Sequence, residues 1–332
     1  MPYSTCARRA GAWVLAVSIF VVFMGSARAQ TDERYPSRPV KLIIGFPPGG
    51  PTDLVGRLIA TRLGEVLGQQ LVVENRAGAS GALGMEAVAH AAPDGYTLAY
   101  GASSNVAQLP ALRRNVAFNP LEDFAPISMT VTGTFTLVTT VSVPATTMAE
   151  FIAYGRAHPN TLNFATAGAG SAPHLAAVLF NEQAGIQAVH VPFTGGGPAL
   201  QATMQGNTHY VFDTVATSVP LLKSTKVRVL AVTSAEPSPS LPGVPTASAA
   251  GLPGLVITTW NGLLAPRGTP GPIVERLNKA LRTALGSHDF SERLSSMGLA
   301  AAPTSPEAFS AFIARELERW RGVVERSGVS AE

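Results

Sequence analysis

Strand and helix patterns alternate along most of this chain, which predicts an α/β fold built on parallel sheet. Three observations carry that reading. Residues 40–46 form a short apolar run of strand length, and apolar residues at helical spacing follow it: Val55, Ile59, Leu63 and Val66. Two further strands, at 71–75 and 97–101, complete a βαβαβ order, whose crossovers place helices on both faces of a sheet. The same strand, glycine turn and helix return in a second α/β unit, around Gly170 and Gly195.

In chain order, the first unit has strands at 40–46, 71–75 and 97–101, with helices at 52–67 and 81–89. The second has strands at 135–143, 163–165, 188–191, 210–212 and 227–233. Its helices lie at 148–156, at about 172–184 and directly after Gly197. Residues 236–254 carry five prolines and little periodicity, so an extended surface connection is expected there. A strand at 257–264 and helices at 272–285, 290–297 and 306–327 close the chain.

The N-terminus reads as a leader. Arg8 and Arg9 precede an apolar run over 10–25, and Ala27-Arg28-Ala29 gives a small-residue cleavage site before Gln30. The run is shorter than the ~20 residues a membrane span needs. A signal peptide over 1–29 and an exported, periplasmic product are therefore expected. Cleavage would remove three of the 24 Lys+Arg and leave 21, equal to the 21 Asp+Glu. A neutral chain without a basic cluster gives no footprint for nucleic acid. The single cysteine, Cys6, leaves with the leader, so neither a disulfide nor a thiol nucleophile is expected. No metal, no cofactor and a monomer are expected.

The turn after the first strand, Pro47-Pro48-Gly49-Gly50-Pro51-Thr52-Asp53, has a definite chemistry. A glycine turn entering a helix leaves backbone N–H groups unpaired, and the helix dipole adds about half a positive charge. That suits an anion such as a carboxylate; a tight turn that binds nothing is the alternative. Ligands of such sheets lie beyond the carboxyl ends of the strands, where Gly49-Gly50 and Ser103-Ser104 both fall. Three such junctions, at Gly49, Gly170 and Gly195, would hold a dianion with no arginine in the pocket. No metalloprotease, nucleophile-elbow, P-loop or dinucleotide motif is present. Ser171, His174 and Asp213 could be assembled into a hydrolase triad, but the first two would lie one turn apart on one helix, a poor geometry for proton transfer.

The chain resembles a known family at seven ordered places. They are Ile44-Gly45-Phe46-Pro47-Pro48-Gly49-Gly50-Pro51-Thr52-Asp53, Val73-Glu74-Asn75-Arg76-Ala77-Gly78-Ala79-Ser80-Gly81 and Pro93-Asp94-Gly95-Tyr96-Thr97-Leu98; then Gly168-Ala169-Gly170-Ser171-Ala172-Pro173-His174-Leu175 and Val191-Pro192-Phe193-Thr194-Gly195-Gly196-Gly197-Pro198-Ala199; and last Pro242-Gly243-Val244-Pro245-Thr246 and Trp260-Asn261-Gly262-Leu263-Leu264-Ala265-Pro266. These are similar to the signatures of the tripartite tricarboxylate transporter substrate-binding proteins, the Bug-type receptors. The resemblance implies a type II periplasmic binding fold of two α/β lobes joined by two crossing strands. Lobe one would be 35–130 and 262–332, and lobe two 131–261. It implies capture of a small carboxylate for delivery to transporter membrane subunits; docking on a sensor-kinase ectodomain is the alternative, and a periplasmic hydrolase a third. In the family the aspartate of the first motif helps fix ligand waters, and here it is Asp53.

The candidate ligand residues are Phe46, Gly49, Gly50, Thr52, Asp53, Ser103, Ser104, Gly170, Ser171, His174, Phe193, Gly195, Gly196 and Asp213. Several have a structural alternative. Asp53 either orients ligand water or stabilises its helix dipole. His174 lines the cleft or packs behind it, and Asp213 points into the cleft or stabilises a turn. Phe46 and Phe193 floor the pocket or pack in the core. Ser103 and Ser104 donate to the ligand or cap the next helix. Arg57 and Arg76 are read as surface or structural, Trp260 as hinge packing and Trp320 as core.

Overall fold

The computed structural model describes residues 35–113 and 115–327. The leader expected at 1–29 and the last five residues of the expected first lobe lie outside them. The first lobe opens with β1 (Val40–Ile44), α1 (Pro51–Leu67), β2 (Leu71–Asn75), α2 (Ala82–Ala89) and β3 (Thr97–Ala102). A π-turn, Ser104–Gln108, then leads into the short α3 (Leu109–Leu112). β1 is central and parallel to both neighbours, with Ile44 opposite Asn75 on one side and Tyr100 on the other. Its apolar run is buried on both faces, as a covered parallel sheet requires. Glycines allow the cover to sit close: a Cβ built on Gly84 of α2 would lie 2.6 Å from the Cα of Gly45. Val55, Ile59 and Leu63 of α1 are buried, whereas Val66 in its last turn is exposed.

The chain then enters β4 (Phe124–Thr140), followed by α4 (Met148–Ala157), β5 (Leu162–Thr166), α5 (Ala172–Ala184), β6 (Ala188–Pro192), α6 (Gly196–Met204), β7 (Tyr210–Thr214), α7 (Val215–Ser218) and β8 (Val227–Val232). It returns through β9 (Thr258–Pro266), α8 (Gly271–Leu285), α9 (His288–Ser296), β10 (Leu299–Ala301) and α10 (Pro306–Ser327). The strand order is β2-β1-β3-β9-β4-β7-β5-β6, with β8 and β10 also paired to β4. β5 is parallel to β6 and β7, so the second lobe repeats the parallel core of the first.

β4 is much longer than the strand expected at 135–143. From Phe124 to Thr134 it is antiparallel to β9, and from Phe135 onward it runs between β7 and β8. Register shifts at Pro126/Ser128 and Met129/Val131 interrupt the two-residue alternation of its first half. Its partners change at Thr134/Phe135, where three segments are laced together. Thr134 Oγ1 and Thr233 Oγ1 share a hydrogen bond of 3.0 Å. Thr233 N–H donates to Phe135 O, and Ile257 N–H donates to Thr233 O.

Aromatic packing ties the crossing strands to the last helix. Trp260 of β9 meets Phe309 and Phe312 edge to face, each at 5.5 Å between ring centres. Trp320 is fully buried farther along α10 and donates to Glu316. The far end of α10 reaches α5 through the Arg326–Glu182 ion pair. Among the described residues, no helix is long and apolar enough to cross a membrane.

Candidate binding site

In the first lobe the site is a proline–glycine turn locked by a buried carboxylate. Gly49 has φ +78°, a left-handed conformation that suits glycine. Gly50 is the extended N-cap of α1, and Pro51 takes the first helical position. Asp53, 2% exposed, faces back into the turn. Its Oδ2 accepts from Gly49 N–H at 2.8 Å and from Arg57 Nε at 2.9 Å, and its Oδ1 accepts from Asn75 Nδ2 at 2.8 Å. Asn75 also donates to Phe46 O and accepts from Arg57 Nη2. Burial pushes the Asp53 carboxyl up, but Arg57, Asn75 and the Gly49 N–H together outweigh it and hold the group below its ordinary value.

Asp53 therefore fixes the loop from behind. Arg57 is structural, as read, and belongs to the same network. The N–H groups of half-buried Thr52 and of Asp53 have no protein acceptor among the described residues. Phe46 is half buried beside them.

A second wall was not among the expected site residues. Residues 78–81 all have positive φ: Gly78 at 143°, Ala79 at 47°, Ser80 at 57° and Gly81 at 92°. Two consecutive non-glycine residues in that region mark a strained turn. A Cβ built on Gly81 would lie 2.8 Å from Asn105 Nδ2 and 3.1 Å from Phe46 Cζ, so this turn, β3's end and the first turn form one cluster. Asn105 accepts from Ala102 N–H at 2.8 Å, which fixes its amide. Ser103 is 3% exposed in helical backbone, so its hydroxyl is enclosed, whereas Ser104 is half buried.

In the second lobe the β5–α5 turn is organised by two stacked imidazoles. His174 and His190 lie 3.9 Å apart between ring centres, and both stack on Phe164. His174 Nδ1 accepts from Gly170 N–H at 3.0 Å, so its proton sits on Nε2. Burial, aided by His190, pushes the His174 pKa down to about 4 and keeps the ring neutral. Burial lowers His190 as well, and its Nε2 bonds Thr166 Oγ1 at 2.6 Å. Ser171 caps α5: its Oγ donates to Gly168 O at 2.7 Å and accepts from His174 N–H.

One expectation changes here, and one holds. The Gly170 N–H is already taken by His174 and is not a free donor. Ser171 and His174 share a capping contact through the His174 backbone rather than through its ring, so the triad geometry is not formed.

The β6–α6 turn is built differently. Phe193 N–H bonds Thr166 O, which ties this turn to its neighbour, and its half-buried ring packs on the lobe-two core. Gly195 is the N-cap of α6 and makes no side-chain cap. The N–H groups of residues 194–197 have no protein acceptor among the described residues; the first bond of the helix is Ala199 N–H to Gly195 O. A Cβ built on Gly196 or Gly197 would meet nothing within 4 Å. Four adjacent donors at a helix N-terminus, bordered by open space, are suited to an anion. Asp213, at the end of β7, is 8% exposed, and its Oδ1 accepts from Thr214 N–H at 2.7 Å. Among the described residues, no group of three or more His, Asp, Glu or Cys could hold a metal ion.

Comparison with known proteins gives one consistent answer. The model of the tripartite tricarboxylate transporter family receptor matches residues 55–329. A UPF0065 protein from the tcbD–tcbE intergenic region of Pseudomonas sp. (strain P51) is 36% identical, over 94% of this chain and 93% of its own. BugT of Bordetella pertussis (strain Tohama I) is 34% identical, over 94% and 96%. Among solved structures, Rpa4515 of R. palustris with adipate has a TM-score of 0.77 at 35% identity, covering 89% of this chain and 99% of that one. MatC (Rpa3494) from Rhodopseudomonas palustris with bound malate has a TM-score of 0.73 at 38% identity, covering 87% and 100%.

Proposed function

The chain belongs to the tripartite tricarboxylate transporter receptor family, a family of periplasmic solute-binding receptors rather than enzymes, and on that premise we propose that it captures a small carboxylate between its lobes and delivers it to the membrane subunits of such a transporter. One observation carries the reading: α6 begins with a bare glycine N-terminus whose four N–H groups lack protein acceptors among the described residues. A carboxylate there would meet donors held in place before it arrives, so little ordering cost is incurred. The N–H groups of Thr52 and Asp53, which also lack an acceptor among the described residues, give the first lobe a matching, smaller set. Relatives of the same fold hold adipate and malate, both dicarboxylates, which supports the same ligand class here.

The ligand surface would be Phe46, Gly49, Gly50, Thr52 and Ser104 with Gly195, Gly196 and Phe193, and Asp53, Ser171 and His174 would hold the loops. Lobe one would be 35–130 with 262–332 and lobe two 131–261, closing about the laced segments at Thr134, Thr233 and Ile257. Removal of 1–29 would release the protein into the periplasm. A thermal-shift screen of mono- and dicarboxylates tests the reading, because a ligand of the native state alone raises the melting temperature. At least one acid should raise it in a dose-dependent way. A panel of acids that all leave it unchanged, while amides or sugars raise it, would replace the carboxylate reading.

A further inference from the structure

One polar atom of opposite character stands beside the N–H array. Asp213 lies opposite Thr136 of β4 and two residues beyond Val211, which pairs with Ala165 of β5. That register places it level with Ala167 in the β5–α5 turn. The register of β5 with β6, Thr166 opposite Pro192, puts Phe193 at the same level. Asp213 therefore stands at the edge that carries both glycine turns of the lobe.

Its Oδ1 is used by Thr214 N–H, but its Oδ2 is buried and has no hydrogen-bond partner among the described residues. The nearby Thr217 hydroxyl donates to Thr214 O at 2.9 Å and makes no hydrogen bond of ordinary length to the Asp213 carboxylate among the described residues. Thr136, facing from β4, has its hydroxyl on Asp213 O and Ser218 Oγ. Burial pushes the carboxyl up, Thr214 and Thr217 offset this only in part, and no cation among the described residues acts on it.

A buried carboxylate oxygen without a donor is costly, and a site built around such an atom selects for the ligand that supplies one. The second carboxylate of a plain diacid would meet like charge there. An alkyl chain would leave the oxygen unpaired. Two strand spacings separate the ends of β6 and β7, about 10 Å. A hydrogen bond of about 3 Å at each end leaves room for a donor a few bonds from the carboxylate.

We infer that Asp213 sets specificity: it accepts a hydrogen bond from a hydroxyl or ammonium group on the solute, so the preferred ligands are hydroxy or amino acids rather than plain alkyl acids. This rests on the carboxylate reading above. The test is titration calorimetry with matched acids on the wild-type chain and on Asp213→Asn. The sets are succinate with malate and aspartate, propanoate with lactate, and phenylacetate with mandelate.

In at least one set the donor-bearing acid should bind about 10- to 100-fold tighter than its plain partner. Asp213→Asn places an N–H group where the free oxygen stood. It should cancel most of that preference, while affinity for the plain acid changes less than about threefold and the melting temperature does not fall. Equal affinities within every set would overturn the inference and leave carboxylate capture standing. A preference that survives in Asp213→Asn would overturn it too. If no acid binds, the carboxylate reading itself fails.

Discussion

The α1 and α6 junctions start from the same sequence device and end as different objects. Both follow a parallel strand, both turn on paired glycines, and both leave N–H groups at a helix N-terminus. At α1 a buried aspartate holds the turn from behind, with Arg57 and Asn75 on its two oxygens. At α6 no side chain does this, and four N–H groups have no protein acceptor among the described residues. The comparison separates two tasks: α1 supplies a rigid wall, and α6 supplies unspent donors. A motif that reads as one signal in sequence is thus locked by a side chain in one copy and left uncapped in the other.

Substitutions should break this contrast in order of size. Gly196→Val puts a side chain into open space and in front of the donors. It should cost at least about 100-fold in carboxylate affinity by calorimetry, through lost charge-assisted hydrogen bonds, with an unchanged melting temperature. A variant that binds normally would move recognition elsewhere. Acid should act next, through the second lobe. The His174 pKa is about 4 in the native state, against 6.5 for an unperturbed ring. The unfolded chain therefore binds more protons as pH falls from 6.5 to about 4, and native stability falls with it. The His174 contribution is on the order of 3 kcal/mol, and denaturant unfolding of His174→Gln should show a shallower slope, with the part due to buried His190 remaining.

Asp53→Ala should follow. It strips the partners from Arg57, Asn75 and Gly49 N–H and should lower stability by roughly 2 kcal/mol in urea unfolding. An undiminished midpoint would mean the turn holds without its carboxylate. Arg57→Ala should be smaller, below about 1 kcal/mol, because the guanidinium is half exposed. Arg76→Ala, whose partner Glu74 is also bonded by Lys41, should be near zero.

Much of the fold was legible because its parallel strands are covered on both faces and bounded by glycine turns. β1, β2, β3, β5, β6 and β7 all lie within a few residues of their expected places. The first half of β4 was hidden by Pro126 and two register shifts, which break the period that marks a strand. β10, with three residues, is too short to show any period. In the site, the glycine turns were legible, but partners across space were not. Asn75, Asn105 and His190 act on loops that no sequence spacing connects to them. The left-handed run at 78–81 had a visible sign in its two flanking glycines, yet Ala79 and Ser80 are types that rarely adopt it.

In the proposed mode of capture, backbone N–H groups, chiefly those of residues 194–197, hold the solute's carboxylate. Amide resonances report this directly. With isotope-labelled protein titrated with the acid that most raises the melting temperature, the amide protons of Thr194, Gly195, Gly196 and Gly197 should move downfield together and saturate at one affinity, followed by those of Thr52 and Asp53. Saturable shifts confined to arginine side-chain N–H groups, with the 194–197 amides unmoved, would contradict it.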